Sequence, residues 1–462
     1  MTINQEILAT ITLGSCSFVG VLILFFYCRD KWRNPFFLYV TGSLMVFLSY
    51  EWGGAEFVNG RSMEAEGFYL FSLLISCFGY RLTCFQHASL SVSIDPIKAR
   101  KESWTESWLM GLMLIVLGIL IVRLTSGNIF RLFDLSYGNE LKWLRITEKD
   151  LVIYVSEATF IALFGVVLPI AVLKLARTPS SWRSLTLVIL PYLLYLMTTG
   201  SRSPVVAAVL TALPAFIALR EYGYSTRKIK KLLILLFLCS VAYFSIISMS
   251  RDTIDDNGND ALKVIFNANE LGYLADADFL PRVIQLPLNV ISIYFSSTFN
   301  NYVIIFQKSE ELANSFGYRI FYSEAKFFST IVPLMDFTNS EQVLSENTAL
   351  LRQVSPTGDQ WGTNLGTLIL EFGLYGALFC SFIQGAVMGS LISFSRRLNS
   401  TGKVLMDCFL VPIAISSIIV HPLLSLSVHV QFLVLILILR KVKNFVQRKY
   451  LRWYSVFIYM IR

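Results

Sequence analysis

Long apolar runs recur along the whole chain and are separated, in most places, by short polar connections. Each run covers about 18–25 residues, the length that an α-helix needs to cross the hydrocarbon core of a bilayer. The pattern predicts eleven membrane-spanning helices, at 6–27, 35–52, 68–90, 107–126, 151–174, 184–199, 203–220, 232–249, 364–394, 404–424 and 426–442. One long, more polar interval, 250–362, separates the eighth helix from the ninth. We therefore predict an all-α polytopic integral membrane protein with one large loop.

Composition supports this class of protein. The 462 residues are 55% hydrophobic and 15% charged, which is too apolar for a soluble fold of this size. The net charge of +8 is distributed in small clusters between the apolar runs, as orientation signals are, and it does not indicate a nucleic-acid partner. The seven cysteines lie in or beside apolar runs without metal-ligand spacing, so neither a disulfide nor a zinc site is predicted.

The basic clusters also predict the orientation of the chain. Most Lys and Arg residues follow the odd-numbered helices or lie in the C-terminal tail. By the positive-inside rule those parts are cytoplasmic, and the N-terminus and the long interval face outward. We divide the chain into an N-terminal bundle of eight helices (1–249), a large outer loop (250–362), C-terminal membrane helices (363–442) and a basic cytoplasmic tail (443–462).

The outer loop carries fourteen acidic and seven basic residues and contains two rather apolar segments. Segment 284–306 is interrupted by Asn289, Asn300 and Asn301, so we predict a helix that lies on or dips into the outer leaflet. Segment 320–337 is predicted to be a second, amphipathic helix. Insertion of both segments as a pair, which gives thirteen spans, preserves the orientation and remains open.

Arg202 is the first candidate for chemistry, because it lies between two apolar runs with almost no loop around it. Its planar, permanently charged guanidinium suits a phosphate. The neighbouring Gly200, Ser201 and Ser203 leave backbone amides accessible at the start of the next helix, an arrangement that binds anions. The alternative is an interfacial arginine whose side chain snorkels to lipid headgroups.

Other cations of the outer surface form a second group of candidates. Arg319 follows Tyr318 just before the amphipathic segment, where both could contribute to the same outer pocket as Arg202. Arg251 and Arg282 flank apolar segments and are further candidates for substrate binding. The alternatives are an ordinary loop charge for Arg319 and topological flanks for the other two arginines.

A general base is less clearly indicated. Glu324 and His421 lie where they could reach an outer site, but the pattern favours a salt bridge to Lys326 or Arg319 for the first and a packing role for the second. Glu157 and Glu371 lie within apolar runs, where a carboxylate must be paired or face a polar cavity. For Glu371, a structural bond between helices is the alternative to a role in chemistry.

No metal or cofactor is expected. The most closely spaced acids of the outer loop do not follow EF-hand spacing and are joined by no His/Cys cluster; they are Asp252, Asp255, Asp256 and Asp260. Walker, GxGxxG and HExxH patterns are absent from the sequence, so no nucleotide chemistry is predicted.

Three features together carry a family resemblance: Gly-Ser-Arg-Ser at 200–203, the large outer loop, and Gly-Thr-Asn-Leu-Gly…Glu-Phe-Gly-Leu-Tyr-Gly at 362–376. The chain resembles the Wzy-type oligosaccharide repeat-unit polymerases, or O-antigen polymerases, of bacteria. This resemblance implies a GT-C-like, metal-independent glycosyltransferase of the inner membrane. It also implies that undecaprenyl-pyrophosphate-linked oligosaccharides serve as donor and acceptor at the periplasmic face, within membrane lipid, and that a chain-length regulator is a possible partner.

For that chemistry, outward arginines would stabilise the departing pyrophosphate, and Arg202 and Arg319 are the residues we predict for the role. Two alternatives remain open. A flippase for the same lipid-linked sugars should show two similar halves and more intramembrane cations than this sequence has. An O-antigen ligase should carry a His-containing outer-loop signature, which the surroundings of His421 and His429 do not reproduce.

Overall fold

The structure is a computed structural model that describes residues 34–52, 55–58, 60–85, 102–125, 127–128, 151–177, 182–199, 211–217, 268–271, 282–322, 325, 338–355, 362–398, 400–419 and 426–442. Helices dominate this part of the chain: α1 (Pro35–Trp52), α2 (Met63–Phe85), α3 (Glu102–Thr125), α4 (Leu151–Arg177), α5 (Trp182–Thr199), α6 (Arg282–Gln307), α7 (Thr338–Val354), α8 (Thr363–Ser395), α9 (Ser400–Ile419) and α10 (Leu426–Val442). Two short strands, β1 (Ala55–Phe57) and β2 (Ala268–Leu271), complete it.

The apolar helices are those of an all-α membrane protein. Within the described ranges, four helical segments are long and apolar enough to cross a bilayer: Met63–Cys84, Ser107–Thr125, Val152–Lys174 and Thr363–Ser395. Thr186–Tyr195 and Leu426–Ile438 are shorter apolar helices. The described residues thus do not reach the predicted count of eleven spans. The predicted spans 6–27 and 232–249, and most of 203–220, lie outside the described residues.

Three elements were not predicted from the sequence. Strands β1 and β2 pair antiparallel, with Ala55 opposite Leu271, and are too short to show a periodicity. Helix α7 is polar on average and is therefore not one of the long apolar runs, although Val343, Leu350 and Val354 recur along it at helical spacing. Its local signal is the acidic Glu341 in the first turn and the basic Arg352 in the last, which complement the helix dipole.

The described elements pack as two units, and each unit is assembled from stretches that are separated along the chain. One unit holds α3, α4, α5, α10 and the beginning of α9; the other holds α1, α2, α6, α7, α8, both strands and the end of α9. In the first of these, α4 packs against α3, α5 and α10. Its Glu157 accepts a hydrogen bond of 2.7 Å from the Tyr195 hydroxyl of α5, so this carboxylate of an apolar run is paired.

The other unit, which contains the residues discussed below, is built on a very close contact between α2 and α8. A Cβ atom added to Gly385 would overlap the carbonyl oxygen of Ser76, and one added to Gly79 would overlap that of Phe382. The Thr83 hydroxyl donates to the Ala386 carbonyl across the same interface at 2.9 Å. Small residues on both helices therefore let the two backbones touch, as is common between membrane helices.

Helix α6 covers the segment that we predicted to lie on the outer leaflet, but it packs against α1, α2 and α8 in the core of this unit. Phe299 and Tyr302 are fully buried, and the Tyr302 hydroxyl donates to the Ala65 carbonyl at 2.8 Å. Asn300 and Asn301, the polar residues that argued against an embedded helix, are buried as well. The sequence pattern alone could not show whether these polar side chains face water at the membrane surface or are buried against other helices.

The second predicted amphipathic helix, 320–337, is described only at its start. There the turns that follow α6 lead into helical geometry at Tyr322 and Ala325, and the Ala325 N–H donates to the Phe321 carbonyl at 2.8 Å; the next described helix begins at Thr338. The remaining residues of that prediction, apart from Ala325, lie outside the described part of the chain.

Helix α8 corresponds to the predicted span 364–394 but is not one straight span. At Gly373 the backbone leaves helical geometry, with φ 69° and ψ −178°. The Asn364 amide nitrogen donates to the Gln384 side-chain oxygen twenty positions further on, although a straight helix would separate these residues by about 30 Å. The chain therefore turns back on itself at Gly373, and we call 363–395 the α8 hairpin.

The two arms of the α8 hairpin differ in length and burial. At 1.5 Å per residue, the first arm, 363–372, is about 15 Å long and the second, 374–395, about 33 Å, so only the second is long enough to cross a bilayer. All residues from 363 to 371 are buried. Gly362 and Gly366 let the first arm approach α6, since Cβ atoms there would lie 2.5 and 3.1 Å from Ile305 Cδ1.

Candidate functional site: a cleft beside the tip of the α8 hairpin

A turn formed by residues 314–319, the docking turn, is attached to the tip of the α8 hairpin. Because the helix breaks at Gly373, the last carbonyls of the first arm lose their usual partners. The docking turn supplies replacements: Ser315 N–H donates to the Leu370 carbonyl at 3.3 Å, and Phe316 N–H to the Glu371 carbonyl at 2.8 Å. A local break in one helix thus becomes the attachment point for a segment more than fifty residues away.

The docking turn has a backbone that few sequences adopt. Phe316 has φ 49° and Gly317 has φ 90°, both in the left-handed region. This conformation costs free energy for a large side chain such as Phe and persists only where the surroundings impose it. Here the Glu371 carboxylate helps to impose it, because Glu371 Oε2 accepts the Gly317 N–H at 2.6 Å.

Beside the docking turn lies a cleft of about 740 Å³. The docking turn, residues Phe321 and Ala325, and the first turn of α7 form its walls. The walls are mostly apolar and aromatic, with Phe316, Tyr318 and Phe321 as the large rings, and side-chain polar groups come from Asn314, Asn339 and Ser340. Aromatic faces combined with amides and hydroxyls suit the faces and hydroxyl groups of sugar rings.

One buried asparagine joins helix α7, which forms one wall of the cleft, to the residue that precedes the docking turn, which forms another. Asn347 Nδ2 donates to the Ala313 carbonyl at 2.7 Å, and the Ala313 N–H donates to Asn347 Oδ1 at 3.1 Å. The Asn347 side chain thereby satisfies both backbone polar groups of Ala313, the residue that precedes the docking turn. This pair of bonds sets the width of the cleft, because it fixes α7 against the docking turn.

Tyr318 is the best-defined polar ring of the cleft. Its side chain is 7% exposed, and burial together with the nearby Glu341 carboxylate raises the pKa of its hydroxyl above the usual range. Glu341 belongs to the first turn of α7, so Tyr318 links the docking turn to that helix. The sequence placed Tyr318 among the substrate-binding residues, and the structure places it in the wall of the cleft.

Arg319 is the last residue of the docking turn and is partly exposed. Its backbone N–H is directed to the Glu371 carboxylate, and its guanidinium exerts a favourable electrostatic effect on the same group. Arg319 follows directly on the cleft-lining residues 314–318. Of the predicted catalytic residues, it is the one that the described part of the chain places next to a cleft.

The other predicted site residues are not placed by the structure. Arg282 begins helix α6. The rest lie outside the described residues: Arg202, Glu324 and His421 of the catalytic set, and Gly200, Ser201, Ser203 and Arg251 of the binding set. Their assignments stay predictions, as does metal independence. The described residues hold no group of three or more His, Cys, Asp or Glu side chains suited to a metal, but Asp252–Asp260 lies outside them.

A second polar cluster joins the ends of α1 and α2. Arg61 Nη1 lies 3.1 Å from Glu51 Oε2, and Arg61 Nη2 donates to the Glu51 carbonyl at 2.9 Å. Glu66 lies beside Glu51 and is 2% exposed. The Oε1 atoms of both glutamates are buried, and the cluster holds the two helix ends together.

Comparison of the chain with models of protein families, with curated proteins and with solved structures gave no match. A function for the chain is therefore argued from its own residues and from the resemblance in its motifs.

Proposed function

We propose that the chain is an O-antigen-type polymerase, a metal-independent membrane glycosyltransferase that joins oligosaccharide repeat units carried on undecaprenyl pyrophosphate. In this proposal it has about eleven membrane spans in a GT-C-like arrangement and lies in the bacterial inner membrane. Its N-terminus is periplasmic and its C-terminus cytoplasmic. The repeat units are transferred at the periplasmic face, beside the cleft, and a chain-length regulator is a proposed partner.

The observation that carries the proposal is a cation held at the edge of a sugar-sized cleft. In the reaction, the acceptor hydroxyl oxygen bonds to the anomeric carbon of the donor glycan while the bond from that carbon to the pyrophosphate oxygen breaks. The hydroxyl proton passes to a base, for which Glu324 and His421 are the proposed groups. The pyrophosphate leaves on its lipid with added negative charge, which Arg319, together with Arg202, stabilises.

The cleft contributes recognition of the glycan in this proposal. Tyr318 and Phe321 offer aromatic faces, and Asn314 and Asn339 offer amide donors and acceptors for sugar hydroxyls. Asn314 and Tyr318 belong to the docking turn and Asn339 to α7, so the glycan and the Arg319 guanidinium would be held by one packed unit.

Deletion of the gene in its native host is the direct test. We expect surface glycan on a gel to collapse from a ladder to core carrying a single repeat unit, and wild-type protein supplied in trans to restore the ladder. Core without any repeat unit would contradict the polymerase and indicate a ligase or a flippase. Accumulation of repeat units on the cytoplasmic side would then single out the flippase.

Orientation can be tested separately with single cysteines in a protein that lacks its seven native ones. We expect cysteines at Ser309 and at Asn339 to react with a membrane-impermeant maleimide in intact spheroplasts, because the proposed orientation places both outside. A cysteine at Ser225, in a basic connection that the sequence predicts to be cytoplasmic, should react only after permeabilisation. Labelling of position 225 alone would reverse the orientation and exclude a periplasmic reaction.

A further inference from the structure

Glu371 is a fully buried acid in an apolar helix, where a carboxylate destabilises the fold unless other groups compensate its charge. The compensating groups come from the docking turn. Gly317 N–H donates to Oε2 at 2.6 Å. The Ser315 hydroxyl, which donates to the neighbouring Leu370 carbonyl at 3.4 Å, and the Arg319 backbone and guanidinium lie close enough to stabilise the carboxylate electrostatically. One carboxylate thus bonds directly to the middle of the docking turn and interacts electrostatically with Ser315 and Arg319 on either side.

These contacts fix the part of the chain that carries Arg319. The turn is left-handed at Phe316 and Gly317, so without external bonds it would relax to other conformations. The backbone bonds to Leu370 and Glu371 secure its first half, and the Glu371 carboxylate secures its second half. The backbone from which the Arg319 guanidinium extends is therefore set by an acid that no substrate can reach.

We propose that Glu371 is a positioning residue for Arg319, and this inference rests on the proposed function. The carboxylate holds the docking turn and the guanidinium in the arrangement that receives the departing pyrophosphate, and it does not touch substrate itself. Its loss should weaken stabilisation of the transition state more than binding of the ground state. A misplacement of about 1 Å in a reacting group can cost about 100-fold in rate, so the expected effect is large.

The test uses the purified full-length protein and lipid-linked repeat units. Glu371→Gln keeps an oxygen that can accept one N–H but removes the charge. We expect kcat to fall about 10- to 100-fold, with KM within about threefold of wild type. The matched control is Glu157→Gln, which neutralises the acid paired with Tyr195 on α4, in the other packing unit. This control should keep kcat within about threefold of wild type.

A double-mutant cycle with Arg319→Ala separates positioning from a general structural role. If Glu371 acts through Arg319, the double variant should be no slower than Arg319→Ala alone, because the group being positioned is already missing. Added guanidinium ion should partly restore Arg319→Ala but not the double variant. The inference would be overturned if the two substitutions lowered kcat multiplicatively in the double variant. It would also be overturned if guanidinium ion rescued Arg319→Ala and the double variant equally.

Two further outcomes are distinguishable. If Glu371→Gln yields no folded protein, Glu371→Asp replaces it in the cycle, since it keeps the charge but withdraws the carboxylate from the Gly317 N–H. A several-fold fall in kcat that vanishes in the Arg319→Ala background supports positioning, and a loss that multiplies with that of Arg319→Ala refutes it. A wild-type protein that does not extend the lipid-linked units rejects the proposed function. An active wild type with multiplying losses rejects the positioning role alone.

Discussion

Replacement of Arg319 by alanine is expected to lower polymerisation at least about 100-fold, the effect typical of removing one group that stabilises developing negative charge. Arg319→Lys should recover only part of the activity, because lysine keeps the charge but loses the planar fork that binds two phosphate oxygens at once. Initial rates with purified protein and lipid-linked repeat units measure both effects.

Lys308→Ala is the matched control for this prediction. Lys308 lies in the turns that precede the docking turn and pairs with Glu311 on the surface at 2.6 Å. Exposed pairs of this kind contribute little, so its removal should leave the rate near that of wild type. Full activity of Arg319→Ala would refute a role in catalysis, and full activity of Arg319→Lys would reduce the role to that of a simple surface charge.

Replacement of Gly385 by leucine is expected to remove most of the folded protein from the membrane. The Cβ atom alone would overlap the backbone carbonyl oxygen of Ser76, which cannot rotate away as a side chain can. The new side chain therefore has to push α2 and α8 apart, and overpacking of this kind costs about 1–3 kcal/mol or more. Gly385→Ala should show the same direction with a smaller loss.

Gly118→Leu is the control, since Gly118 lies in the apolar helix α3 and a Cβ there meets nothing within 4 Å. Fluorescence-detected size-exclusion chromatography and thermal unfolding in detergent measure both proteins. We expect Gly118→Leu to elute and unfold like wild type. Equal behaviour of the two leucine variants would show that α2 and α8 do not pack backbone to backbone.

The membrane helices are features that the sequence alone could predict. Apolar length is a local property, because a bilayer imposes the same minimum length on every spanning segment. The predicted segment 35–52 coincides with helix α1, and the segments 151–174 and 184–199 lie within α4 and α5; of these three helices, α4 is long and apolar enough to cross a bilayer. Local reasoning also predicted that Glu157 is either paired or faces a polar cavity, and its bond with Tyr195 shows the first of these. Tyr318 and Arg319 were chosen as candidates from their local surroundings, and their roles stay predictions.

The arrangement of the site depends on contacts between positions far apart in the chain, and only the tertiary structure decided it. An apolar run reads the same whether it is straight or folded back, so the bond between Asn364 and Gln384 was needed to reveal the α8 hairpin. Glu371 and Gly317 are 54 positions apart, and their bond, which fixes the docking turn, leaves no mark on either local sequence. The cleft exists because Asn347 holds a polar helix against that turn. Hydropathy measures how favourably a side chain transfers from water into an apolar phase. Which group bonds to each buried polar side chain depends instead on how distant segments pack together.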